Sequence, residues 1–330
     1  MSHSNSSLNC FQYCMAKYKH NYILKSPRDG VISPHLTFGT MAHDVLYKAG
    51  RLRDDCNDNL VENGEYYNVI PSEILYGDLK DFFQIRSWEK YFTSVIKQVA
   101  EYENDIIKSL DGQVTLMREV KLTMSQEALV KAGQNGISDS FTGVIDLLVM
   151  DEQNAVIVDY KFSTKQKTQD DFDLDSQLQL YAFFVHHTYN IPLRNIRVGY
   201  IDIPKQQFDE PTILSNGTLS RSKDQNVSAE FYKKAVKAIH GDDPKYNCEP
   251  GGYYYDVYCN LSLKKAAYIN LQYIDNSIYE NVTSDLFDTA RLIETMINKG
   301  LPFVRQYNSY SCKNCEYLTS CKPYLGAWGG

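Results

Sequence analysis

Three residues near the middle of the chain have the types and spacing for metal-assisted chemistry: Asp146, Asp159 and Lys161. Two carboxylates brought within a few ångströms of each other can share a divalent cation. Asp159 and Lys161 stand two apart, so on a strand they point to the same side and place a fixed positive charge beside the acids. All three lie in apolar surroundings, where a carboxylate is tolerated when it is paired or binds a metal.

The elements that must position them are legible around these residues. Thr142–Met150 and Ala155–Phe162 are rich in Val, Ile and Leu and flank the polar stretch Asp151-Glu152-Gln153-Asn154, which predicts a β-hairpin with a four-residue loop. Pairing Met150 with Ala155 carries the register to Asp146 opposite Asp159, where Cβ atoms stand about 5 Å apart. Charges usually sit on a solvated sheet face, but this hairpin is apolar on both faces. A helix follows in which Gln177 and Tyr181, spaced i, i+4, share a face. Taken alone, that pair is ordinary helix surface. Ile196–Ile203 reads as a further strand, so strand, helix and strand make a right-handed crossover with parallel pairing. The predicted class is α/β, a mixed sheet flanked by helices.

Taken together, Gly143-x-x-Asp146, twelve residues, Asp159-Tyr160-Lys161 and then Gln177-x-x-x-Tyr181 resemble the RecB-like branch of the PD-(D/E)XK nucleases. The resemblance implies a restriction-endonuclease-like core that cleaves DNA phosphodiester bonds with Mg²⁺ or Mn²⁺. It implies that His43, from Gly39-x-x-x-His43, holds the metal with Asp146, Asp159 and the carbonyl of Tyr160. Lys161 would orient or deprotonate the attacking water, and Gln177 and Tyr181 would position that lysine or a strand phosphate. Glu119, at the centre of the strand-like MREVKLTM, matches an accessory glutamate near the metal, against the alternative of an edge-strand charge. Where relatives carry an acid after the leucine of the histidine helix, this chain has Tyr47.

Cys312, Cys315 and Cys321 form C-x2-C-x5-C, and closely spaced thiols in a reducing compartment indicate metal or cluster ligation more than disulfides. A fourth thiolate must come from far away. Phe11, Cys14 and Lys17-Tyr18 resemble the start of the RecB-like families that carry an iron–sulfur cluster, including the AddB nuclease domain and the CRISPR-associated exonucleases. That resemblance implies a [4Fe–4S] cluster on Cys14, Cys312, Cys315 and Cys321, tying the two ends of the sequence together, with Cys10 as the spare. Structural zinc is the alternative. Met15 replaces the proline usual after the first cysteine. Cys56, Cys248 and Cys259 have no partner spacing and read as structural.

The 330 residues, 43% hydrophobic and 23% charged, suit a soluble globular protein, and the net charge of −7 is not that of a nucleic-acid-coating one. An enzyme acting on DNA can still be acidic where metal and a local basic groove meet the phosphates. No apolar run approaches a membrane span and no signal peptide is evident, so a cytoplasmic location is expected. No Walker-type loop occurs, hence no helicase motor. One nuclease domain over 1–330 is expected: a cysteine and histidine segment to 50, a helical insertion over 51–118 with a helix across Glu73–Leu110, a catalytic core at 119–203, an insertion at 204–282, and a terminal helix and cysteine cluster from 283. Within the second insertion, Ala229–Ile239 predicts a helix with a basic face of Lys233, Lys234 and Lys237, while Gly251–Ile274 fits strand or helix. Ser284–Lys299 predicts a helix capped by Thr283 or Ser284. The expected activity is a DNA exonuclease on single-stranded or free ends, acting in DNA recombination, phage DNA processing or CRISPR adaptation, with a recombination, replication or CRISPR-adaptation partner and an oligomer as further options. A catalytically silent DNA-binding or scaffold subunit is the alternative.

Overall fold

Asp151 makes the hairpin turn. Its Oδ1 accepts the backbone N–H groups of Gln153 at 2.7 Å and Asn154 at 2.6 Å, an aspartate-stabilised turn that reverses the chain. Around this hairpin the computed structural model describes residues 2–29, 34–55, 86–163, 168–173, 175–204, 209–227, 229–262, 267–306, 312 and 315–321. In chain order the elements are β1 (Ser2–His3), α1 (Asn5–Tyr13), α2 (Met15–Tyr18), α3 (Pro34–Asp55), α4 (Arg86–Lys108), β2 (Thr115–Met124), α5 (Gln126–Lys131), β3 (Ser140–Met150), β4 (Ala155–Ser163), α6 (Gln169–Asp173), α7 (Ser176–Tyr189), β5 (Ile196–Pro204), α8 (Ala229–His240), α9 (Tyr255–Ser262), β6 (Tyr268–Tyr273), α10 (Asn276–Asn298) and α11 (Leu318–Cys321).

The six strands form one mixed sheet. β2 runs antiparallel along one edge of β3, from Thr115↔Met150 to Met124↔Phe141. The other edge of β3 is shared: β1 pairs parallel with Ser140 and Phe141, and β4 pairs antiparallel with Leu147–Met150. Among the described residues, 142–146 therefore have no strand partner on that side. β4 and β5 are parallel, as the crossover through α7 predicts, and β6 closes the sheet antiparallel to β5.

Both faces of the sheet are buried, which is why its central strands carry unbroken apolar runs. One face packs Leu148, Ile157 and Val198 against Phe183, Phe184 and Phe287 of α7 and α10. The other packs Leu147, Val149, Val156 and Val158 against Val45 of α3 and Val95 and Val99 of α4.

The helix expected over Ser284–Lys299 begins two turns earlier, because Asp275 caps it by accepting from the N–H groups of Ser277 and Ile278. Thr283 lies inside this helix, its hydroxyl donating to the Tyr279 carbonyl. Of the helix expected across Glu73–Leu110, residues 86–108 are helical and 73–85 lie outside the described residues, as does Cys56. Gly251–Ile274 divides into α9 and β6. α8 and α9 enclose a small separate core of Tyr232, Val236, Tyr254 and Val257, in which Cys248 is buried. The basic face of α8 is partly neutralised, since Lys233 pairs with Glu249 at 2.8 Å and Lys237 with Asp242 at 3.0 Å. Among the described residues no helix is long and apolar enough to cross a membrane.

Candidate active site

The β3–β4 ladder holds the expected register from Met150↔Ala155 to Leu147↔Val158 and then stops, one pair short of Asp146 and Asp159. In place of the next ladder bond, the Tyr160 N–H donates to Asp146 Oδ2 at 2.7 Å. On the other side of β3, Glu119 sits between the pairs Arg118↔Leu147 and Val120↔Ile145, with φ +48°. A non-glycine residue in this left-handed region costs about 1–3 kcal/mol and persists only where its surroundings enforce it. Here it resets the alternation of both strands. Met117 and Val120 pack on the α7 face, as do Ile145 and Leu148, although strict alternation would put each pair on opposite faces. Glu119, Asp146 and Asp159 thus follow one another across three strands at the one level where the sheet is interrupted.

Ligand atoms of His43, Glu119 and Asp146 all lie within 4.8 Å of one another, and His43 Nδ1 is 3.3 Å from Asp146 Oδ2. The His43 ring stands edge-on to Phe162 at 5.3 Å. Burial first, and then the charge of Asp146, pushes the Glu119 carboxyl above its usual range. The same two causes, in the same order, raise Asp159, with Lys161 opposing them. Burial works against a charged His43, but the hydrogen bond and charge of Asp146, with Asp159 and Glu119 behind it, outweigh that and raise its pKa. Crowded carboxylates in a sheltered place, joined by one imidazole, fit a hard divalent cation such as Mg²⁺ or Mn²⁺.

Asp159 turns toward a second group. Its Oδ2 is 2.6 Å from Lys161 Nζ, and its Oδ1 accepts from Gln177 Nε2 at 2.9 Å. Gln177 Oε1 accepts from Lys161 Nζ at 2.9 Å, and Gln177 Nε2 also donates to the Tyr181 hydroxyl at 2.7 Å. The i, i+4 pair of α7 is therefore drawn into the site. The Tyr181 hydroxyl in turn donates to the carbonyl of Val144, one of the β3 residues without a strand partner on that edge. Burial opposes the Lys161 ammonium, yet Asp159, Asp175 and Asp146 together hold its pKa above the ordinary lysine value.

Gly143 makes room for this arrangement. A Cβ there would stand 2.9 Å from ring atoms of both Tyr181 and Phe184. Gly143→Ala should cost about 1–3 kcal/mol, the range for overpacking a core, and should lower the melting temperature measurably. An unchanged melting curve would show that α7 gives way freely.

Behind the site lies a buried ionic network. Glu103 of α4, 1% exposed, accepts from Arg118 Nη1 at 2.9 Å and Nη2 at 2.8 Å and from the Tyr160 hydroxyl at 2.7 Å, and it pairs with Arg53 of α3. Arg118 Nε also reaches Asp54 of α3 at 2.9 Å. The helix carrying His43 is thereby fastened to the strands carrying Glu119 and Asp159. Gly50 lets α3 approach, since a Cβ there would fall 2.4 Å from the Arg118 guanidinium carbon.

The cysteine segment docks on the N-terminal helices. Glu316 pairs with Lys17 at 3.2 Å, and the Tyr317 hydroxyl donates to Asn21 at 2.7 Å. Cys14 is the extended residue between α1 and α2, so it does not share one continuous helix with Cys10 as the i, i+4 spacing suggests. Among the described residues, Cys10, Cys14, Cys312, Cys315 and Cys321 form no disulfide. Burial, then Cys315, with Arg305 opposing and Cys14 and Cys312 adding, raises the Cys321 thiol. Among the described residues, cysteines form no group with ligand atoms within 4.8 Å; the second such group is His3, Asp139 and Glu294. There His3 Nε2 meets Glu294 Oε1 at 3.1 Å and ties β1 to α10.

Glu103, Arg118, Arg53, Asp175 and Tyr200 escape the sequence analysis. A signal existed for Asp175 alone, since an aspartate directly before an apolar helical run is an N-cap.

A model of the PD-(D/E)XK nuclease superfamily matches residues 2–322. No curated protein matches the sequence significantly. Among solved structures, a candidate exonuclease from Eubacterium rectale is similar at 11% identity over 97% of this chain and 87% of its own, with a TM-score of 0.45. SSO0001 is similar at 10% identity over 85% and 83%, with a TM-score of 0.26.

Proposed function

The chain belongs to the PD-(D/E)XK nuclease superfamily and is a DNA nuclease, and from that premise we propose a metal-dependent exonuclease of the RecB-like branch that works at single-stranded or free DNA ends. The observation that carries the proposal is the convergence of His43, Glu119, Asp146, Asp159 and Lys161 where β3 and β4 part. His43, Asp146 and Asp159, with the Tyr160 carbonyl, would hold Mg²⁺ or Mn²⁺, and Glu119 would be an accessory. When bound, such an ion supplies Lewis acidity at the phosphate and a more acidic water.

The side chains do the rest. Lys161, with its pKa raised, stays an ammonium. It therefore orients the attacking water and faces the developing phosphoryl charge as a donor, rather than removing a proton. Gln177 fixes both Lys161 and Asp159, and Tyr181 fixes Gln177 to β3 through Val144. The contacts of Glu316 with Lys17 and of Tyr317 with Asn21, which bring the cysteine segment against the chain just after Cys14, support an iron–sulfur cluster on Cys14, Cys312, Cys315 and Cys321, because such a cluster takes four thiolates and holds them wider apart than a single ion does.

The test is anaerobic purification followed by Mn²⁺-dependent digestion of end-labelled single- and double-stranded DNA, comparing wild type with Lys161→Ala. A stepwise ladder lost in the variant is expected, with faster digestion of single strands. A folded wild type that leaves every DNA intact would overturn the catalytic reading, and one internal cut would overturn the exonuclease. Thiolate-to-iron absorption in the visible should accompany the wild type and fade in Cys321→Ser. A colourless protein holding stoichiometric zinc would replace the cluster with zinc.

A further inference from the structure

We propose that Asp175 and Tyr200 form a positioning pair that sets the direction of the Lys161 ammonium; the inference rests on the catalytic role proposed for that lysine. Asp175 stands immediately before α7. Its Oδ1 accepts the N–H groups of Gln177 at 2.7 Å and Leu178 at 3.2 Å, capping the helix. Its Oδ2 accepts from the Tyr200 hydroxyl. Tyr200 belongs to β5, beside Asp159 in the parallel ladder, and its side chain is fully buried. Lys161 Nζ lies 5.6 Å from the centroid of its ring, within the range where a cation is drawn to an aromatic face. Phe172 of α6 stands edge-on to the same ring at 5.5 Å.

One carboxylate thus fixes two things at once. Through Oδ1 it sets the start of α7, and with it the height at which Gln177 reaches Lys161. Through Oδ2 it holds the ring against which the lysine rests. Lys161 is then confined between a carboxylate, a carboxamide and an aromatic face. A flexible four-carbon side chain has many rotamers to lose, and confinement of this kind removes that freedom before substrate arrives.

Asp175→Asn separates the two duties. Asparagine caps helices as well as aspartate does, so α7 keeps its start, but the amide offers Tyr200 a donor where it had an acceptor, so the hydroxyl proton must turn elsewhere and the ring is no longer held by a charged partner. The expected result is a fall in kcat of about 100-fold, the scale of an ångström-level misplacement, with KM for single-stranded DNA and the melting temperature nearly unchanged. Tyr200→Phe should lose about 10-fold in kcat, as for one lost hydrogen bond. The double variant should be no slower than Asp175→Asn, because both act through one contact. Wild-type kcat in Asp175→Asn, or losses that simply multiply in the double variant, would overturn the pair.

A second measurement does not need activity. In ¹⁵N-lysine spectra the confined Lys161 ammonium should give a signal protected from water exchange, assigned by its absence in Lys161→Arg. Loss of that signal in folded Asp175→Asn supports the pair even if the wild type cleaves no DNA, in which case only the nuclease reading falls. A signal unchanged by Asp175→Asn sinks the pair whatever the activity.

Discussion

Asp159→Asn should cut cleavage on the order of 10³-fold and, in metal-free buffer, raise the melting temperature. Asp159 is 3% exposed and lies beside Asp146, and burial together with that neighbour raises its pKa even though Lys161 is 2.6 Å away. The sign of the stability effect follows. A carboxyl whose folded pKa exceeds its unfolded value of about 4 binds protons more tightly when folded, so its contribution is greatest in acid and declines as pH rises through the interval between the two values. At neutral pH the ionised side chain is a liability, which the neutral amide removes. The gain should be about 2–4 °C, the shift for about 1 kcal/mol in a large domain. It should vanish in acid, where wild-type Asp159 is already neutral.

Mn²⁺ should invert the order, since a ligand that binds only the folded state stabilises by mass action and the variant binds it less well. Cleavage should fall on the order of 10³-fold, as for loss of a group that meets transition-state charge. Calorimetry with and without Mn²⁺, from about pH 4 upward, checks both halves. A variant less stable than wild type in metal-free neutral buffer would show that Asp159 serves the fold rather than the reaction.

Glu103→Ala should be the most destabilising single change in the structure. It would take the buried carboxylate from Arg53 and from Arg118, whose side chain is 3% exposed and would keep only the half-buried Asp54, and it would leave the Tyr160 hydroxyl without its acceptor. Removing one partner of a buried ion pair costs about 3–5 kcal/mol, because the remaining charge has no water to return to. At about 2–4 °C per kcal/mol, that is a drop of about 6–20 °C. Glu103→Gln keeps an acceptor for Tyr160 and should fall between the two. Metal affinity should weaken with Glu103→Ala even where the protein remains folded, since α3 carries His43 and is held through Arg53 and Asp54. A melting temperature within 2 °C of wild type, a shift of about 1 kcal/mol or less, would show that the network only breaks even against its desolvation.

The hairpin was legible because its signals are local. Apolar strands, a polar connection and the spacing of two acids fix a register, which the ladder keeps as far as Leu147↔Val158, one pair short of Asp146 and Asp159. The parting of the strands was not legible, since it falls beside Glu119, a residue of positive φ in a different strand, and nothing in MREVKLTM marks that glutamate as other than a strand residue. The start of α10 was missed for a different reason. Asp275 is a good cap, but Asn276, Ser277, Glu280 and Asn281 dilute the apolar residues Ile278, Tyr279 and Val282 of the first turns, and the denser apolar pattern comes only from Leu286 onward. Glu103 and Arg118 look like surface charges in sequence, and only docking of α3 and α4 on the sheet buries them.

The site joins two halves of different chain topology. Lys161, Asp159, Gln177 and Tyr181 lie within the single stretch Asp159–Tyr181, so their contacts close a short loop. His43 and Glu119 come from elements on either side of the long segment between α3 and α4, held together by Arg53, Arg118 and Glu103. Closure entropy rises with the length of chain closed, so the lysine contacts form at the cost of one short closure, whereas His43 and Glu119 meet only once α3 and α4 have docked on the sheet. The lysine end of the site is local structure, and the histidine end is tertiary structure.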